Sequence, residues 1–235
     1  MQAIILAGGM GSRLSSVLRG VPKPMAPVAG RPFLEWLLAD LGSQGFERVI
    51  LSVGYRYNQI SQHFQKSFAG MELCYAIEDQ PLGTGGAIRN SQALTRGERF
   101  FVINGDTLVR LKYRDMIRQH ELNIKTCEGC SLTLAVAYQD DVSRYGRVLL
   151  EQDKVLGFEE KGRTGAGWIN AGVYLLDQSF TWPQELGCSF SFEREVLGPH
   201  LRTLRPGIFR ALDYFVDIGV PEDLERAQVD FGRPA

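Results

Sequence analysis

The sequence lacks any apolar run that approaches the length of about 18 residues typical of a membrane-spanning helix, so we expect no transmembrane segment. It also lacks an excess of positive charge, because 26 Lys and Arg against 27 Asp and Glu leave a formal net charge of −1. Domains that bind nucleic acid usually carry a basic excess, so we do not expect nucleic acid as a partner. The N-terminus already resembles a core strand, which leaves no room for a signal peptide and favours a cytoplasmic protein.

Cysteine is scarce, with four in 235 residues. Cys127 and Cys130 have the C-x-x-C spacing of half a zinc or redox site, but a structural zinc site needs two further ligands. Cys74 lies in an apolar strand, and Cys188 lies far along the chain. Free thiols are therefore favoured over a zinc site.

The first half of the chain alternates between short apolar segments and segments of helical periodicity. We expect strands at residues 2–7, 48–53, 71–77 and 100–104, and helices at residues 32–41, 58–68, 84–94 and 112–122. This alternation predicts an α/β fold with a mostly parallel central sheet and helices on both faces. Ligands of such sheets bind at the carboxyl ends of the strands.

The second half is richer in strands. We expect strands at residues 131–138, 147–150, 154–159 and 168–176, and an extended segment at 208–215. A short helix is expected at residues 191–197 with Ser191 as its cap, and a terminal helix from Pro221. Residues after 180 lack hexapeptide periodicity, so we expect no β-helix in this part of the chain.

A glycine-rich loop is the most informative segment. Residues 3–7 form an apolar strand that runs into Gly8-Gly9-Met10-Gly11-Ser12-Arg13-Leu14, and Pro22-Lys23-Pro24 follows. Backbone N–H groups of such a loop can close around phosphates, and Arg13 and Lys23 add positive charge. A plain strand-to-helix turn also needs glycine, and the spacing fits neither the dinucleotide fingerprint nor the P-loop. The residues alone therefore leave both interpretations open.

Two aspartates are candidate metal ligands. Asp106 directly follows the strand expected at residues 100–104, where it could cap a turn or bind Mg²⁺. Asp217 lies inside the apolar run 215–219, and a carboxylate there needs a partner, either a metal ion or a basic side chain. Spacing alone does not decide between these alternatives.

The combination of L-A-G-G-M-G-S-R-L and P-K-P resembles the sugar-phosphate nucleotidyltransferases. The likeness runs nearly end to end, through P-L-G-T-G-G-A-I, N-G-D-T, F-E-E-K, W-I-N-A-G-V-Y and Y-F-V-D-I-G-V-P-E-D. Within that family the chain most resembles the short bacterial D-glycero-α-D-manno-heptose-1-phosphate guanylyltransferases. The resemblance implies a single Rossmann-like nucleotide-diphospho-sugar transferase domain over residues 1–235, with a nucleotide-binding half (1–125) and a sugar-phosphate-binding half (126–235).

The resemblance also implies a set of site residues. Mg²⁺ would be the cofactor, bound by Asp106 and Asp217, while Lys23 would contact the α-phosphate and Arg13 the β- and γ-phosphates. The implied nucleotide-binding residues are Leu6, Ala7, Gly8, Gly9, Gly11, Ser12, Arg13, Glu78, Gly83 and Thr84. The implied sugar-phosphate-binding residues are Gly146, Glu160, Lys161 and Asn170, although a Glu-Glu-Lys turn is more often a solvated surface turn.

Glu78 is the residue from which we predict the base of the nucleotide substrate. It lies five residues before Gly83, at the position that in relatives lies against the edge of the base. Guanine presents two adjacent donors there, which a carboxylate can accept together; the alternative is a solvated edge residue. We therefore expect GTP and a manno-configured sugar-1-phosphate as substrates, and a GDP-sugar for surface glycans and pyrophosphate as products.

Other functions remain open at this point. The same chemistry could act on mannose 1-phosphate with GTP, or on glucose 1-phosphate with dTTP. A non-catalytic sugar-nucleotide-binding regulatory subunit would keep the fold but tends to lose the loop arginine or the metal carboxylates. The sequence also leaves the oligomeric state open, a homo-oligomer included.

Overall fold

An eight-stranded sheet organises the computed structural model, which describes residues 1–9, 14, 18, 20–127, 129–211 and 213–232. The described strands are β1 (Gln2–Leu6), β2 (Pro27–Val28), β3 (Arg31–Pro32), β4 (Arg48–Val53), β5 (Ser67–Phe68), β6 (Met71–Ile77), β7 (Arg99–Asn104), β8 (Thr107–Arg110), β9 (Leu132–Gln139), β10 (Val148–Glu151), β11 (Lys154–Phe158), β12 (Gly167–Asp177), β13 (Gly207–Ala211) and β14 (Tyr214–Asp217). The described α-helices are α1 (Phe33–Ser43), α2 (Tyr57–Phe64), α3 (Gly83–Gln92), α4 (Tyr113–Thr126), α5 (Leu201–Leu204) and α6 (Pro221–Gly232). A 3-10 turn spans Lys23–Met25, and a π-helical segment spans Phe192–Leu197.

The strand order of the large sheet is β13-β9-β12-β7-β1-β4-β6-β5. The block β7-β1-β4-β6 is parallel, and so is the pair β13-β9. Only β12 and the two-residue strand β5 run against their neighbours. The expected α/β fold with a mostly parallel sheet is therefore confirmed. Both halves of the chain contribute strands to this one sheet, while the division at residues 125 and 126 stays a prediction.

The core explains why these segments become strands and helices. Every residue of β4 is buried: β1 and β6 pair with its two edges, and its side chains enter apolar clusters on both faces of the sheet. On one face, α1 packs its apolar residues against the sheet, and their spacing of three and four gives a helix one apolar stripe. These residues are Leu34, Leu37, Leu38 and Leu41, whereas the buried Phe33 packs into a separate cluster with Leu108 and Val216. Burial of one such side chain contributes about 1.5–3 kcal/mol.

Two expectations about local structure are wrong. The helix expected at residues 58–68 ends at Phe64, because Gln65 adopts a positive φ of 53° and Ser67–Phe68 pairs with β6. The extended segment expected at 208–215 is two strands: β13 joins the large sheet, whereas β14 pairs with β8 in a separate two-stranded ribbon. Strand β8 itself was not expected from the sequence.

None of the helices within the described ranges is both long enough and apolar enough to span a membrane. All four cysteines, which lie within those ranges, are free thiols.

A buried polar chain joins α4 to the large sheet. The side chain of His120 is fully buried, its Nδ1 lies 2.8 Å from the Thr133 hydroxyl oxygen, and its Nε2 lies 3.3 Å from Asp177 Oδ1. An ionised carboxylate only accepts, so the proton of the neutral ring lies on Nε2 and is donated to Asp177, and Nδ1 accepts from the Thr133 hydroxyl. The Asn123 amide donates to the same hydroxyl oxygen at 3.3 Å. Burial lowers the pKa of His120, although Asp177 works in the opposite direction.

This burial predicts a pH dependence of stability. Because the folded-state pKa of His120 lies below its ordinary value, the neutral ring supports the fold fully above about pH 6.5, and that support is lost as the pH falls toward the folded-state pKa. We expect His120→Gln to be less stable than the wild type at pH 7.5 and the gap to narrow at pH 5. Urea unfolding at both pH values measures this, and a gap of constant size would contradict it.

Candidate functional site

One edge of the large sheet carries a cavity of about 940 Å³. The parallel strands β1 and β7 end there, and the antiparallel β12 begins there, so residues far apart in sequence meet at this edge. Nine of the expected site residues line the cavity: Gly9, Lys23, Thr84, Asp106, Gly146, Glu160, Lys161, Asn170 and Asp217. Their individual roles stay predictions.

The start of the glycine-rich loop is held by the strands on both sides. The N–H of Ala7 donates to Ser52 O at 2.8 Å, and the N–H of Gly105 donates to Leu6 O at 3.0 Å. A Cβ on Gly105 would lie 2.7 Å from Leu6 O, so the chain beyond β7 can approach the end of β1 only because glycine is present. The expected nucleotide-binding residues Gly11, Ser12 and Arg13 lie outside the described residues.

Lys23 enters the cavity from the 3-10 turn between two prolines. The N–H of Met25 donates to Pro22 O at 2.8 Å, and Pro24 is buried, which fixes the direction of the lysine side chain. The Nζ atom of Lys23 forms an ion pair with Asp106 and lies 3.7 Å from Asp217 Oδ1. A single ammonium group thus bridges both expected metal ligands.

The ribbon of β8 and β14 brings the two aspartates together. Its register places Asp217 opposite Thr107, the residue after Asp106, and the N–H of Ile218 donates to Asp106 O at 2.9 Å. The N–H of Gly219 donates to Asp217 Oδ1 at 2.7 Å. Burial and the nearby Asp106 charge raise the pKa of Asp217, and Lys23 opposes that rise. The pairing of β8 with β14 could not be predicted from the sequence, because β8 itself was not expected.

The donor set fits a hard divalent cation. Mg²⁺ keeps several water ligands and is usually bound by one or two carboxylates together with phosphates of the substrate. Asp106 and Asp217 supply two carboxylates on neighbouring strands, both partly open to the cavity. Within the described part of the chain, no group of three or more His, Cys, Asp or Glu could hold a metal ion. A metal here would therefore need oxygen atoms from a ligand as well.

The opposite wall of the cavity is built around Gly146. Gly146 has a φ of 77°, and a Cβ at this residue would lie 2.6 Å from Glu159 O. Both features require glycine, and together they press the Tyr145-Gly146 turn onto the segment that carries Glu160 and Lys161. Glu160 and Lys161 are exposed side chains on the cavity wall.

A β-bulge directs Asn170 into the cavity. The pairing of β12 with β9 shifts register between Asn170 and Tyr174, and Gly172 inside the bulge has a φ of 69°. The side chain of Asn170 accepts from the Gly172 N–H at 3.0 Å and donates to the Tyr174 hydroxyl oxygen at 2.7 Å. A Cβ on Gly172 would lie 2.5 Å from Asn104 Nδ2, so glycine is needed here for space as well.

Sequence reasoning missed Glu193, which connects two walls of the cavity. Its Oε2 accepts from the Thr84 hydroxyl at 2.8 Å, and its Oε1 accepts from the Tyr174 hydroxyl at 3.0 Å. Ser191, expected as a helix cap, accepts from the Arg194 N–H at 3.2 Å and so fixes the segment that carries Glu193. In the sequence, the helix cap expected at Ser191 was the only feature that indicated a structured segment around Glu193. Burial raises the pKa of Tyr174 well above its usual value, so its hydroxyl stays a donor.

Glu78 lies beside the glycine-rich loop rather than on the cavity wall. Its carboxylate accepts from the Ser52 hydroxyl at 3.0 Å and from the Leu82 N–H at 3.1 Å, which disfavours a solvated edge residue. A Cβ on Gly8 would lie 2.7 Å from Glu78 Oε1, so this carboxylate packs directly against Gly8. The expected residues that are not among the described lining residues are Leu6, Ala7, Gly8, Glu78 and Gly83.

Comparison with protein families decides the class of the chain. The model of the family described as nucleotidyl transferase matches residues 2–231. The chain belongs to this family. The resemblance expected from the glycine-rich loop and the P-K-P segment is therefore confirmed.

Two relatives match nearly the whole length of the chain. The chain is 40% identical over 228 residues to a D-glycero-α-D-manno-heptose 1-phosphate guanylyltransferase of Aneurinibacillus thermoaerophilus, which covers 97% of this chain and 97% of the relative. It is 42% identical over 224 residues to an enzyme of the same name from Campylobacter jejuni, with 95% and 96% covered.

A solved structure also matches this chain over nearly its whole length. HddC from Yersinia pseudotuberculosis is 37% identical, with a TM-score of 0.84 over 98% of this chain and 99% of that chain. HddC has also been solved in complex with GMP-PN, and that structure matches this chain with a TM-score of 0.81.

Proposed function

We propose that this protein is a guanylyltransferase that transfers GMP from GTP to D-glycero-α-D-manno-heptose 1-phosphate, with GDP-heptose and pyrophosphate as products. The observation that carries the proposal is the bridge of Lys23 between Asp106 and Asp217, in the same cavity as Gly146, Lys161 and Asn170. The full-length similarity to two heptose guanylyltransferases supports the choice of sugar and base. We further expect the reaction to occur in the cytoplasm and its product to supply surface glycans.

The reaction is a displacement at phosphorus. A phosphate oxygen of the sugar-1-phosphate attacks the α-phosphorus of GTP in line, the bond from that phosphorus to the β-phosphate bridging oxygen breaks, and pyrophosphate leaves. Positioning and charge neutralisation supply most of the rate in such reactions. The protein therefore needs cations for two polyanions and a rigid seat for each.

Lys23 and the two aspartates act at the reacting phosphates. The side chain of Lys23 is 15% exposed and lines the cavity, where its ammonium group can neutralise the α-phosphate and the incoming phosphate. Asp106 and Asp217 would hold Mg²⁺, which supplies charge neutralisation and orientation of the triphosphate oxygens when it is bound. Arg13 is expected at the β- and γ-phosphates.

The opposite wall receives the sugar phosphate. The backbone at Gly146 can approach the sugar closely, Lys161 offers a cation for the phosphate, and Glu160 offers acceptors for ring hydroxyl groups. Asn170 keeps one amide proton and one oxygen lone pair after its bonds to Gly172 and Tyr174, and these remain for the sugar.

The charged residues of the cavity favour an enzyme over a regulatory subunit that only binds a sugar nucleotide. The same cavity is lined by four of the charged residues expected at the site: Lys23, Asp106, Lys161 and Asp217. A protein that only binds would not need two like charges held around one lysine, since that arrangement is costly without a positively charged ligand.

Pyrophosphate release tests the substrate pair directly. We expect the fastest turnover with GTP and D-glycero-α-D-manno-heptose 1-phosphate, measured against ATP, CTP and dTTP and against mannose 1-phosphate and glucose 1-phosphate. Turnover with dTTP and glucose 1-phosphate but none with GTP would reject the proposed base and sugar. No turnover with any pair would favour the binding-only alternative.

Removal of one metal-binding charge should stop the reaction without unfolding the protein. We expect Asp106→Asn and Asp217→Asn each to lower kcat by about 10²–10³. Neither change should lower the melting temperature, because each relieves repulsion between the two carboxylates. The control is Asp213→Asn, an exposed residue in the same part of the chain, for which we expect unchanged kcat. An aspartate variant with near-normal kcat would remove that residue from the mechanism.

Glu78→Gln should weaken the preference for GTP. The amide would present a donor where guanine also presents donors, and an unpaired polar group of this kind costs about 1–3 kcal/mol. The measurement is the ratio of kcat/KM for GTP to that for ATP, in the wild type, in Glu78→Gln and in the exposed neighbour variant Asp79→Asn as control. An unchanged ratio in Glu78→Gln would count against its contact with the base.

A further inference from the structure

Asp223, near the start of α6, is a buried carboxylate to which the proposed reaction assigns no part. Its side chain is only 7% exposed, and it is not among the described residues that line the cavity. Its Oδ2 accepts from the Arg144 guanidinium and, at 3.3 Å, from the Tyr145 hydroxyl. A buried charge persists only with such partners, so the environment of Asp223 is organised around the segment that immediately precedes Gly146.

Asp223 also connects to the strand that carries Asp217. Its Oδ1 lies 3.8 Å from Nη2 of Arg226, and the same Nη2 donates to Phe215 O at 3.2 Å. The ring of Tyr145 packs edge-on against Phe215 with centroids 5.4 Å apart, and the Arg144 guanidinium lies 5.5 Å from the centre of the Tyr145 ring. Tyr145 is thus held on three sides, by α6, by β14 and by Arg144.

Backbone hydrogen bonds tie the two ends of the turn at Gly146 to the facing segment: the Gly162 N–H donates to Ser143 O at 2.7 Å, and the Glu159 N–H donates to Arg147 O at 2.8 Å. The N–H groups of Tyr145 and Gly146 donate to the same oxygen, Val142 O, at 2.9 and 3.1 Å. Gly146 packs against Glu159 O, and glycine adopts its positive φ without strain, so the position of the turn depends on contacts made by the flanking side chains. Burial raises the pKa of Tyr145 to about 12, so its hydroxyl remains protonated and able to donate at neutral pH.

We propose that Asp223 is a positioning residue for the sugar phosphate: through the Tyr145 hydroxyl and Arg144 it holds the Tyr145-Gly146 turn in the geometry that binds the sugar-1-phosphate. This inference rests on the proposed function, because it takes Gly146 as part of the sugar-phosphate site. A site held in advance in its binding geometry loses less entropy when the ligand arrives. Loss of the anchor should therefore weaken sugar-phosphate binding and spare GTP, whose expected site begins at Gly8 and Gly9, directly after β1.

Tyr145→Phe tests the anchor with the smallest possible change. The structure offers a matched control, because the Tyr214 hydroxyl donates to Asp230 Oδ2 at 2.7 Å on the same helix, and Tyr214 is not among the described lining residues. We expect Tyr145→Phe to raise the KM for the sugar-1-phosphate by about 3- to 10-fold, the range that corresponds to the net contribution of one ordinary hydrogen bond. The KM for GTP and kcat should stay within about twofold, and Tyr214→Phe should leave all three within about twofold.

The split between the two KM values separates positioning from simple stability. Urea unfolding of both tyrosine variants shows whether they lose similar stability; a structural role alone would move stability without the selective rise in one KM. Asp223→Asn, where it folds, should raise the same KM at least as much as Tyr145→Phe. The inference is overturned if Tyr145→Phe leaves the sugar-1-phosphate KM unchanged, or if both KM values rise together.

Gly146→Ala distinguishes failure of this inference from failure of the proposed function. Its Cβ would displace the turn itself, so the sugar-1-phosphate KM must rise if the turn binds the sugar phosphate. A rise in Gly146→Ala without one in Tyr145→Phe overturns only the role of the anchor. No rise in either variant overturns the assignment of the turn to the sugar phosphate, and the anchor with it.

Discussion

The Lys23 ammonium group between Asp106 and Asp217 is the interaction on which the candidate site depends. Two like charges about 4 Å apart repel by about 4 kcal/mol at an effective dielectric constant of about 20, and the ammonium group between Asp106 and Asp217 offsets repulsion of this kind. Lys23 opposes the rise in the pKa of Asp217, but burial and Asp106 still raise it. The site therefore retains a deficit of positive charge. A metal bound to a triphosphate meets that deficit, whereas a neutral sugar alone would not.

This arrangement depends on how the chain leaves the large sheet. After β7 the chain turns at Gly105 and pairs with β14 as a separate ribbon, which sets Asp217 opposite Thr107. The close approach of Gly105 to Leu6 O then places the ribbon beside the start of the glycine-rich loop. Three segments around residues 23, 106 and 217 thus share one edge, and the sheet makes that geometry rigid. Positioning of this kind is what a displacement at phosphorus needs from a protein.

The sequence predicted the parts of the fold that local patterns determine. Strands β1, β4, β6 and β7 were expected within about a residue of their bounds, because each is an apolar, β-branched run between turn residues. The helix expected at 58–68 was too long because Phe64 and Phe68 have helical spacing, although Phe68 belongs to β5. Strand β8 and Glu193 were missed for another reason: their partners are β14 and Thr84, each more than 100 residues away. Periodicity contains no information about such contacts.

Glu78 and Asn170 differ in how many other side chains share in holding them. Glu78 is oriented by two direct bonds, from the Leu82 N–H four residues further along the chain and from the Ser52 hydroxyl 26 residues earlier on the adjacent strand β4. Asn170 is oriented through Tyr174, whose hydroxyl donates to Glu193, and Glu193 also accepts from Thr84. Loss of one member leaves a buried group without its partner, which costs more than the lost bond itself. The cavity wall around Asn170 should therefore change only through several substitutions together, whereas one substitution at residue 78 can alter the environment beside the glycine-rich loop.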